Sequence, residues 1–270
     1  MDQPIFDSLA ADRWQGLLTT KHLGRGDVRC LQETDSTNLQ LRQMALAGAP
    51  HGSLCLAEMQ SAGRGRLGRS WHSPAGQGLW LSVLLRPDMP SKYAPLLTLC
   101  AAMAMAQAVR QTANIPCMIK WPNDLVCGGR KLCGVLLEIS ADAERIHHVI
   151  VGTGLNVRRG AYPAELAHQA ASVEDFTAAP DRANILAAYL HALESITSLA
   201  AQGGWEALQA DYIRQCVTIG SRVRVIGAEE FTGMAESLDQ TGALLVRDDE
   251  GQLRRVLAGD VSVRGVMGYV

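Results

Sequence analysis

No pair of cysteines in this chain has C-x-x-C spacing, and no His or Cys cluster has the spacing of a zinc site. The seven cysteines, Cys30, Cys55, Cys100, Cys117, Cys127, Cys133 and Cys216, are odd in number and scattered. The opening Met1-Asp2-Gln3-Pro4 has neither the basic start nor the apolar run of a secretory leader. These absences argue against a disulfide scaffold and predict reduced, mostly buried thiols in a cytoplasmic protein. Long apolar runs are missing too. The longest, residues 96–109, stops short of the ~20 needed to span a bilayer and is rich in alanine, so it reads as a buried core helix. A broad basic field is also absent: 25 Lys and Arg against 27 Asp and Glu leave a formal net charge of -2. That argues against a general nucleic-acid binder. With 47 % hydrophobic and 19 % charged residues the composition is globular, and 270 residues suit one large unit plus a small one.

The positive charge that matters is local. In Gln60-Ser61-Ala62-Gly63-Arg64-Gly65-Arg66-Leu67-Gly68-Arg69-Ser70-Trp71, three glycines alternate with three arginines and a tryptophan closes the run. Glycine reaches backbone angles other residues avoid, so this is a bendable loop. Three guanidiniums repel one another until an anion sits among them and accepts forked hydrogen bonds. Trp71 adds a flat face for stacking. The segment therefore reads as a mobile cover for a phosphate-bearing ligand. A minor-groove arm and a plain solvated basic loop remain alternatives. Gly63-x-Gly65-x-x-Gly68 also fits the dinucleotide fingerprint, but that motif needs a helix at once, and here Pro74 and Gly76 follow without helical periodicity.

Along the chain, residues 6–19 read as one amphipathic helix, followed by a turn at Gly24-Arg25-Gly26. A helix-turn-helix DNA-binding domain needs two further helices, for which there is no room. Residues 28–34 read as a strand, and Asp35-Ser36-Thr37-Asn38 as helix-capping residues before Leu39, with Ser36 as N-cap. Strands are expected at 53–59 and 79–85, and the core helix at 93–112. Residues 117–121 form a short strand stopped by Pro122, and Gly128-Gly129 turns a hairpin. In that hairpin Asp124 and Lys131 come from paired strands and can face one cleft, although a lysine at a strand start is usually solvated. Residues 147–157 read as a strand whose Gly152 and Gly154 share one face. That bare face suits either a flat ligand or a tight crossing of another element. Helices follow at 181–199 and 205–214. After Cys216 come short alternating runs, at 217–219, 222–226, 231–235, 242–246, 254–257 and 261–264, which read as a small all-β unit of SH3 size.

Taken together, five motifs in order resemble biotin protein ligase, also called biotin–acetyl-CoA-carboxylase ligase. They are Asp35-Ser36-Thr37-Asn38; Gln60 with Gly63-Arg64-Gly65-Arg66-Leu67-Gly68-Arg69; Lys120-Trp121-Pro122-Asn123-Asp124-Leu125; Arg130-Lys131-Leu132-Cys133-Gly134-Val135-Leu136-Leu137-Glu138; and Gly152-Thr153-Gly154-Leu155-Asn156. The resemblance covers residues 28–160, and the β-rich tail is similar to the family's C-terminal domain. It implies an α+β fold, with a mixed-sheet catalytic domain like that of class II aminoacyl-tRNA synthetases over residues 1–216. An SH3-like barrel is implied over 217–270.

The resemblance also implies a two-step reaction. Biotin's carboxylate attacks the ATP α-phosphate, giving biotinyl-5′-AMP and pyrophosphate, and a lysine of a biotin carboxyl carrier protein then attacks the mixed anhydride. Joining two anions requires cations, from Mg²⁺ and from side chains. By motif, Arg64 and Arg66, with Gly65 between them, hold phosphate and carboxylate groups. Lys131, near Gly134, bridges the biotin carboxylate and the α-phosphate. Ser36, Thr37, Asn38 and Gln60 take the ureido end. Gly152 and Gly154 leave room for the bicycle, and Trp71 and Asn156 meet adenine. Asn123 and Asp124 line the nucleotide side, with Asp124 a candidate to orient or deprotonate the incoming lysine. No all-protein metal site is expected. Leu67 departs from the family pattern, where many relatives carry a polar residue, and this concerns the loop's closing contacts. DNA and membrane binding are not expected, and a homodimer through an edge strand is plausible. The rival readings are a lipoate or octanoate ligase or transferase of similar fold, and a non-catalytic nucleic-acid-binding module.

Overall fold

The computed structural model describes residues 8–227, 229–258 and 262–265. A short helix α1 (Ala11–Trp14) and a 3-10 turn (Gln15–Leu17) stand where one helix over 6–19 is expected, and Phe6 lies outside the described residues. Gly16 lies two residues after Trp14 and weakens a continuous helix, while Trp14 itself is fully buried.

The main sheet is built from β1 (Val28–Thr34), β2 (Leu54–Gln60), β3 (Gly78–Leu85), β4 (Met118–Lys120), β5 (Asp124–Cys127), β6 (Arg130–Ala141) and β7 (Ile146–Asn156). Their spatial order is β1-β2-β3-β7-β6-β5-β4. β1 and β2 are parallel and every other neighbouring pair is antiparallel. Helix α2 (Thr37–Leu46) supplies the β1–β2 crossover and covers one face, where Leu41 and Met44 pack on Leu84 and Ile150. The other face is covered by α3 (Leu96–Ala113) and α4 (Arg182–Ala201), and α5 (Trp205–Gln215) follows. Asp181 caps α4, accepting from the Ala183 and Asn184 N–H groups. The stretch from Ser91 to Ala113 is long and apolar enough to cross a membrane, but most of it is buried inside this fold, as a core helix is. Tyr93 lies in a 3-10 turn before α3 rather than in the helix itself, because Pro95 lies between them at the helix N-cap.

Five antiparallel strands, β8 (Arg222–Ile226), β9 (Phe231–Leu238), β10 (Leu244–Asp248), β11 (Leu253–Val256) and β12 (Ser262–Gly265), form a second sheet in the order β11-β10-β9-β8-β12. Val261, expected to begin the last strand, lies outside the described residues. The predicted strand at 217–219 is instead a turn, because its backbone is used elsewhere. Val217 N–H donates to the Ile119 carbonyl and Ser221 N–H to the Thr218 carbonyl. Trp121 ties the two sheets together. Its backbone N–H donates to Thr218 Oγ1 at 3.0 Å and its indole N–H to the Gly242 carbonyl at 3.1 Å.

All seven cysteines are free, and all but Cys30 are buried. Burial pushes the Cys55 and Cys100 thiols up to about 12 and Cys117 up to about 11, so they stay protonated and unreactive.

Candidate functional site

Sheet register places the site. On the α2 face, Gly152 lies opposite Ser82 on β3 and Leu136 on β6, and Gly154 lies opposite Trp80 and Gly134. Gly134 in turn lies opposite Asp124 on β5. Three bare positions therefore cluster on neighbouring strands just beyond the end of α2. A cavity of about 440 Å³ opens there. That is within the roughly 300–1,000 Å³ typical of small-molecule sites. Every residue given a role by motif lines it: Ser36, Thr37, Asn38 and Gln60; Arg64, Gly65, Arg66 and Trp71; Asn123, Asp124, Lys131 and Gly134; Gly152, Gly154 and Asn156.

One end of the cavity is uncharged and internally bonded. Ser36 sits at the α2 N-cap but its side chain makes no capping bond, so the plain capping role does not describe it. Thr37 donates its N–H (2.8 Å) and its hydroxyl contacts at 3.1 Å the same acceptor, Gln60 Oε1. Gln60 Nε2 donates to Ser73 Oγ at 2.9 Å, which fixes the amide's orientation. Asn38 Nδ2 donates to Glu138 Oε1 at 3.1 Å, and Ser82 Oγ lies 2.6 Å from Asn38 Oδ1 and 2.8 Å from Thr37 Oγ1.

The glycine face is taken up by protein side chains rather than left open. A Cβ at Gly152 would collide with Asn38 Oδ1, and one at Gly154 with Trp71 Nε1. The indole of Trp71 lies against Gly154 and Gly134, edge-on to Trp80 and 5.2 Å from the Lys131 ammonium. The tight-crossing reading of the two glycines therefore describes this state. Trp71, expected beside adenine, stands over the centre of the sheet.

The other end is cationic. Arg64, Arg66, Arg69, Lys120, Lys131 and Arg264 all line the cavity in a chain of net charge -2. Asp124 is the one carboxylate among the described lining residues, and Lys131 Nζ lies 2.7 Å from its Oδ1. The hairpin does bring the two together. Its Gly128 and Gly129 turn at φ 55° and 72°, a backbone that needs glycine. The Gly-Arg loop is itself a small hairpin: Trp71 N–H donates to the Gly63 carbonyl and Gly65 N–H to the Arg69 carbonyl. Leu67 at its tip is exposed and left-handed, at φ 56°. Arg66 spans two regions, donating to Asn123 Oδ1 at 2.8 Å and to the Ala258 carbonyl. Asn123 thus positions an arginine. Its own Nδ2 donates to the Val135 carbonyl. Asn156 Nδ2 donates to the Ala171 carbonyl and so ties β7 to the segment that hydrogen-bonds the backbone of Lys131.

Lys120 is 6 % exposed. Burial pushes its ammonium down to about 8, with Lys131, Arg264 and Arg69 adding repulsion and Asp124 opposing them. Motif reading gives no role to Lys120, Arg69 or Glu138, and passes over Ser82 and Arg264. Ser82 has a signal, being the lone hydroxyl in the apolar run Leu79-Trp80-Leu81-Ser82-Val83-Leu84-Leu85. Arg264 has none, since β12 reaches the cavity only through the packing of the second sheet.

Among the described residues no group of three or more His, Cys, Asp or Glu is arranged to hold a metal ion.

The family model described as the biotin/lipoate A/B protein ligase family matches residues 29–156, and that of the biotin protein ligase C-terminal domain matches 218–264. The chain is 38 % identical over 237 residues to the biotin–[acetyl-CoA-carboxylase] ligase of Mycobacterium tuberculosis, covering 85 % of this chain and 86 % of that protein. It is 34 % identical over 232 residues to the bifunctional ligase/repressor BirA of Bacillus subtilis, covering 84 % and 71 %. Its fold is similar to that of the Aquifex aeolicus biotin protein ligase in complex with biotin and ATP. The TM-score is 0.78 at 28 % identity, covering 88 % of this chain and 99 % of the other.

Proposed function

The chain belongs to the biotin protein ligase family, and on that premise we propose that its cavity joins biotin to the ATP α-phosphate with loss of pyrophosphate and passes the biotinyl group to a carrier lysine with loss of AMP. The protein is an ATP-dependent biotin–[acetyl-CoA-carboxylase] ligase, and its substrates are the carrier proteins of biotin-dependent carboxylases. The observation that carries the residue assignment is the split cavity: an uncharged hydroxyl and amide end beside six converging cations.

In this reading the uncharged end takes the ureido ring, with Ser36, Thr37, Asn38 and Gln60 around it. Biotin's carboxylate then points toward Lys131, which meets it and the ATP α-phosphate and offsets the charge that builds as the two anions approach. Arg64 and Arg66, joined by Arg69, close on the phosphates. Arg66 already grips Asn123 and the Ala258 carbonyl, so closure exchanges protein acceptors for phosphate oxygens. Trp71 shifts off Gly154 and Gly134 to admit the bicycle, and its ring then stacks on the nucleotide side with Asn156. A closed loop also keeps water from the acyl-adenylate. Asp124, the one carboxylate among the described lining residues, would be the side chain available to a Mg²⁺ ion brought in with the nucleotide, and that ion would supply positive charge against the phosphates. In the second step Asp124, released from Lys131 as the phosphate takes over that ammonium, orients the carrier amine.

The finer points of the proposal are a division into residues 1–216 and 217–270, the acetyl-CoA carboxylase carrier as the particular partner, a cytoplasmic setting, a homodimer, and no DNA binding. Biotin-dependent exchange of labelled pyrophosphate into ATP tests the central reading. It is expected in the intact protein and expected to fall about 100- to 1,000-fold in Lys131→Ala. Exchange that depends on lipoate instead, or survives in Lys131→Ala, would replace this reading with the lipoate-ligase one or move the catalytic ammonium elsewhere.

A further inference from the structure

Behind the uncharged end of the cavity runs a chain of oxygens whose hydrogen supply can be counted. Three contacts link it: Asn38 Oδ1 to Ser82 Oγ (2.6 Å), Ser82 Oγ to Thr37 Oγ1 (2.8 Å), and Thr37 Oγ1 to Gln60 Oε1 (3.1 Å). A contact between two oxygens at these distances needs a hydrogen. The two hydroxyls supply one hydrogen each, and an amide oxygen supplies none. Two hydrogens therefore serve three contacts.

Neither amide is free to turn round and make up the shortage. Gln60 Oε1 accepts the Thr37 backbone N–H, while its Nε2 donates to Ser73 Oγ. Asn38 Nδ2 donates to the Glu138 carboxylate, so turning it would set amide oxygen against carboxylate oxygen. Glu138 does not line the cavity, and Ser82 is fully buried behind it.

We propose that Glu138 is a positioning residue that makes this site select a ligand carrying N–H donors, by holding the Asn38 oxygen inward and leaving the Ser82–Thr37–Gln60 chain one hydrogen short. The inference rests on the biotin reading and deepens it. Ser82 gives its one hydrogen to Asn38 at the shortest contact, so the one hydrogen of Thr37 must serve both Gln60 Oε1, to which it donates here, and Ser82. The contact that a ligand can relieve is therefore the pair Thr37 Oγ1 and Gln60 Oε1, on two residues that line the cavity. A cyclic urea brings two N–H groups, and one of them placed across that pair supplies the missing donor. A dithiolane or a cyclic carbonate brings none. A site that needs a substrate N–H rejects analogues lacking it far more strongly than shape alone allows.

Glu138→Gln is nearly isosteric and removes the constraint. The introduced amide can donate an N–H to the Asn38 oxygen, so Asn38 turns and gives an N–H to Ser82. Ser82 then donates to Thr37 and Thr37 to Gln60, and the chain closes without a ligand.

The test measures three quantities in the full-length protein by pyrophosphate exchange: KM for biotin, the inhibition constant of the biotin analogue with both ureido N–H groups replaced by ring oxygens, and KM for ATP. Desthiobiotin, which keeps the cyclic urea, is the control for shape. Glu138→Gln is expected to lower the preference for biotin over the carbonate by roughly tenfold. The biotin-to-desthiobiotin ratio and the KM for ATP should stay within about twofold. In a Ser82→Ala background the link from Asn38 to Thr37 is cut, so adding Glu138→Gln should leave the preference unchanged. An unchanged preference in Glu138→Gln, including an analogue that binds neither protein, overturns the proposal. So does an equal shift in the Ser82→Ala background. Absence of biotin-dependent exchange in the wild type would instead sink the biotin reading itself.

Discussion

The two ends of the cavity are stabilised in opposite ways. At the Asn38–Gln60 end every amide is held by a named partner, and its residues come from β2, β3, β6 and the start of α2, all within the main sheet layer. At the Arg66–Lys131 end the residues come from a loop, a hairpin and the second sheet. Burial, with the neighbouring cations adding to it, holds the Lys120 ammonium there well below its usual range. The first end is built before a ligand arrives. The second, in the proposed reading, gains further stabilisation when an anion enters among its cations. In the proposed reading, orientation of the ring and attraction of the phosphates are therefore separable properties, carried by different residues of one cavity.

The sharpest way to break that separation is at Gly152. A methyl there would meet the Asn38 oxygen, which Ser82 and Glu138 hold in place. Overpacking of this kind costs about 1–3 kcal/mol. Gly152→Ala is expected to raise KM for biotin about tenfold to a hundredfold with little change in KM for ATP, as exchange kinetics would show. At the cationic end, Arg66→Lys keeps the charge but loses the fork that here grips Asn123 and Ala258 and that, in the proposed closure, turns to the phosphate oxygens. A drop of about tenfold in kcat/KM for ATP is expected, with KM for biotin nearly unmoved. If Arg66→Lys raised both KM values equally, the two ends would not be independent.

A smaller effect should follow pH. Lys120 has a folded-state pKa of about 8 against an ordinary 10.5. Below about 8 it is charged and favours phosphate; as pH rises through that value the charge is lost. KM for ATP is therefore expected to climb several-fold above about pH 8, and Lys120→Arg should flatten the rise. The stability sign is the reverse of that for a salt-bridged lysine, whose pKa is raised. Between about 8 and 10.5 the unfolded chain binds the proton and the folded chain does not, so this residue's contribution to stability grows with pH across that window. Denaturant melts of wild type and Lys120→Met at several pH values would check it. The smallest effect belongs to Leu67, whose left-handed backbone costs a branched side chain about 1–2 kcal/mol. Leu67→Asn should slow proteolysis of the loop in the ligand-free protein and change kcat by less than about twofold.

Much of this architecture is legible in the chain. Sequence pattern places β1, β2, β3, β7, α3 and α4 to within a few residues, because apolar runs such as β3, buried along its whole length, and α3, buried on most faces, stand out between turn residues. The two clear misses have local causes. The N-terminal helix is shortened where Gly16 interrupts it, and the segment at 217–219 spends its backbone on β4 and a turn instead of a strand ladder. For the site, the residues that five motifs single out for a role all meet at one cavity. Those motifs were not enough to say that the bare face of Gly152 and Gly154 is occupied by Asn38 and Trp71.

By itself the order of residues determined which side chains are present, where glycine permits close approach, and that the protein is a biotin ligase by kinship. Only the packed fold decided that Arg264 reaches the cavity from β12, that Lys120 is stripped of water, and that Glu138 holds Asn38 while Ser82 joins it to Thr37. The reason is physical. Periodicity and spacing report on a residue's own segment, whereas desolvation and hydrogen-bond supply depend on which other segments arrive at the same place.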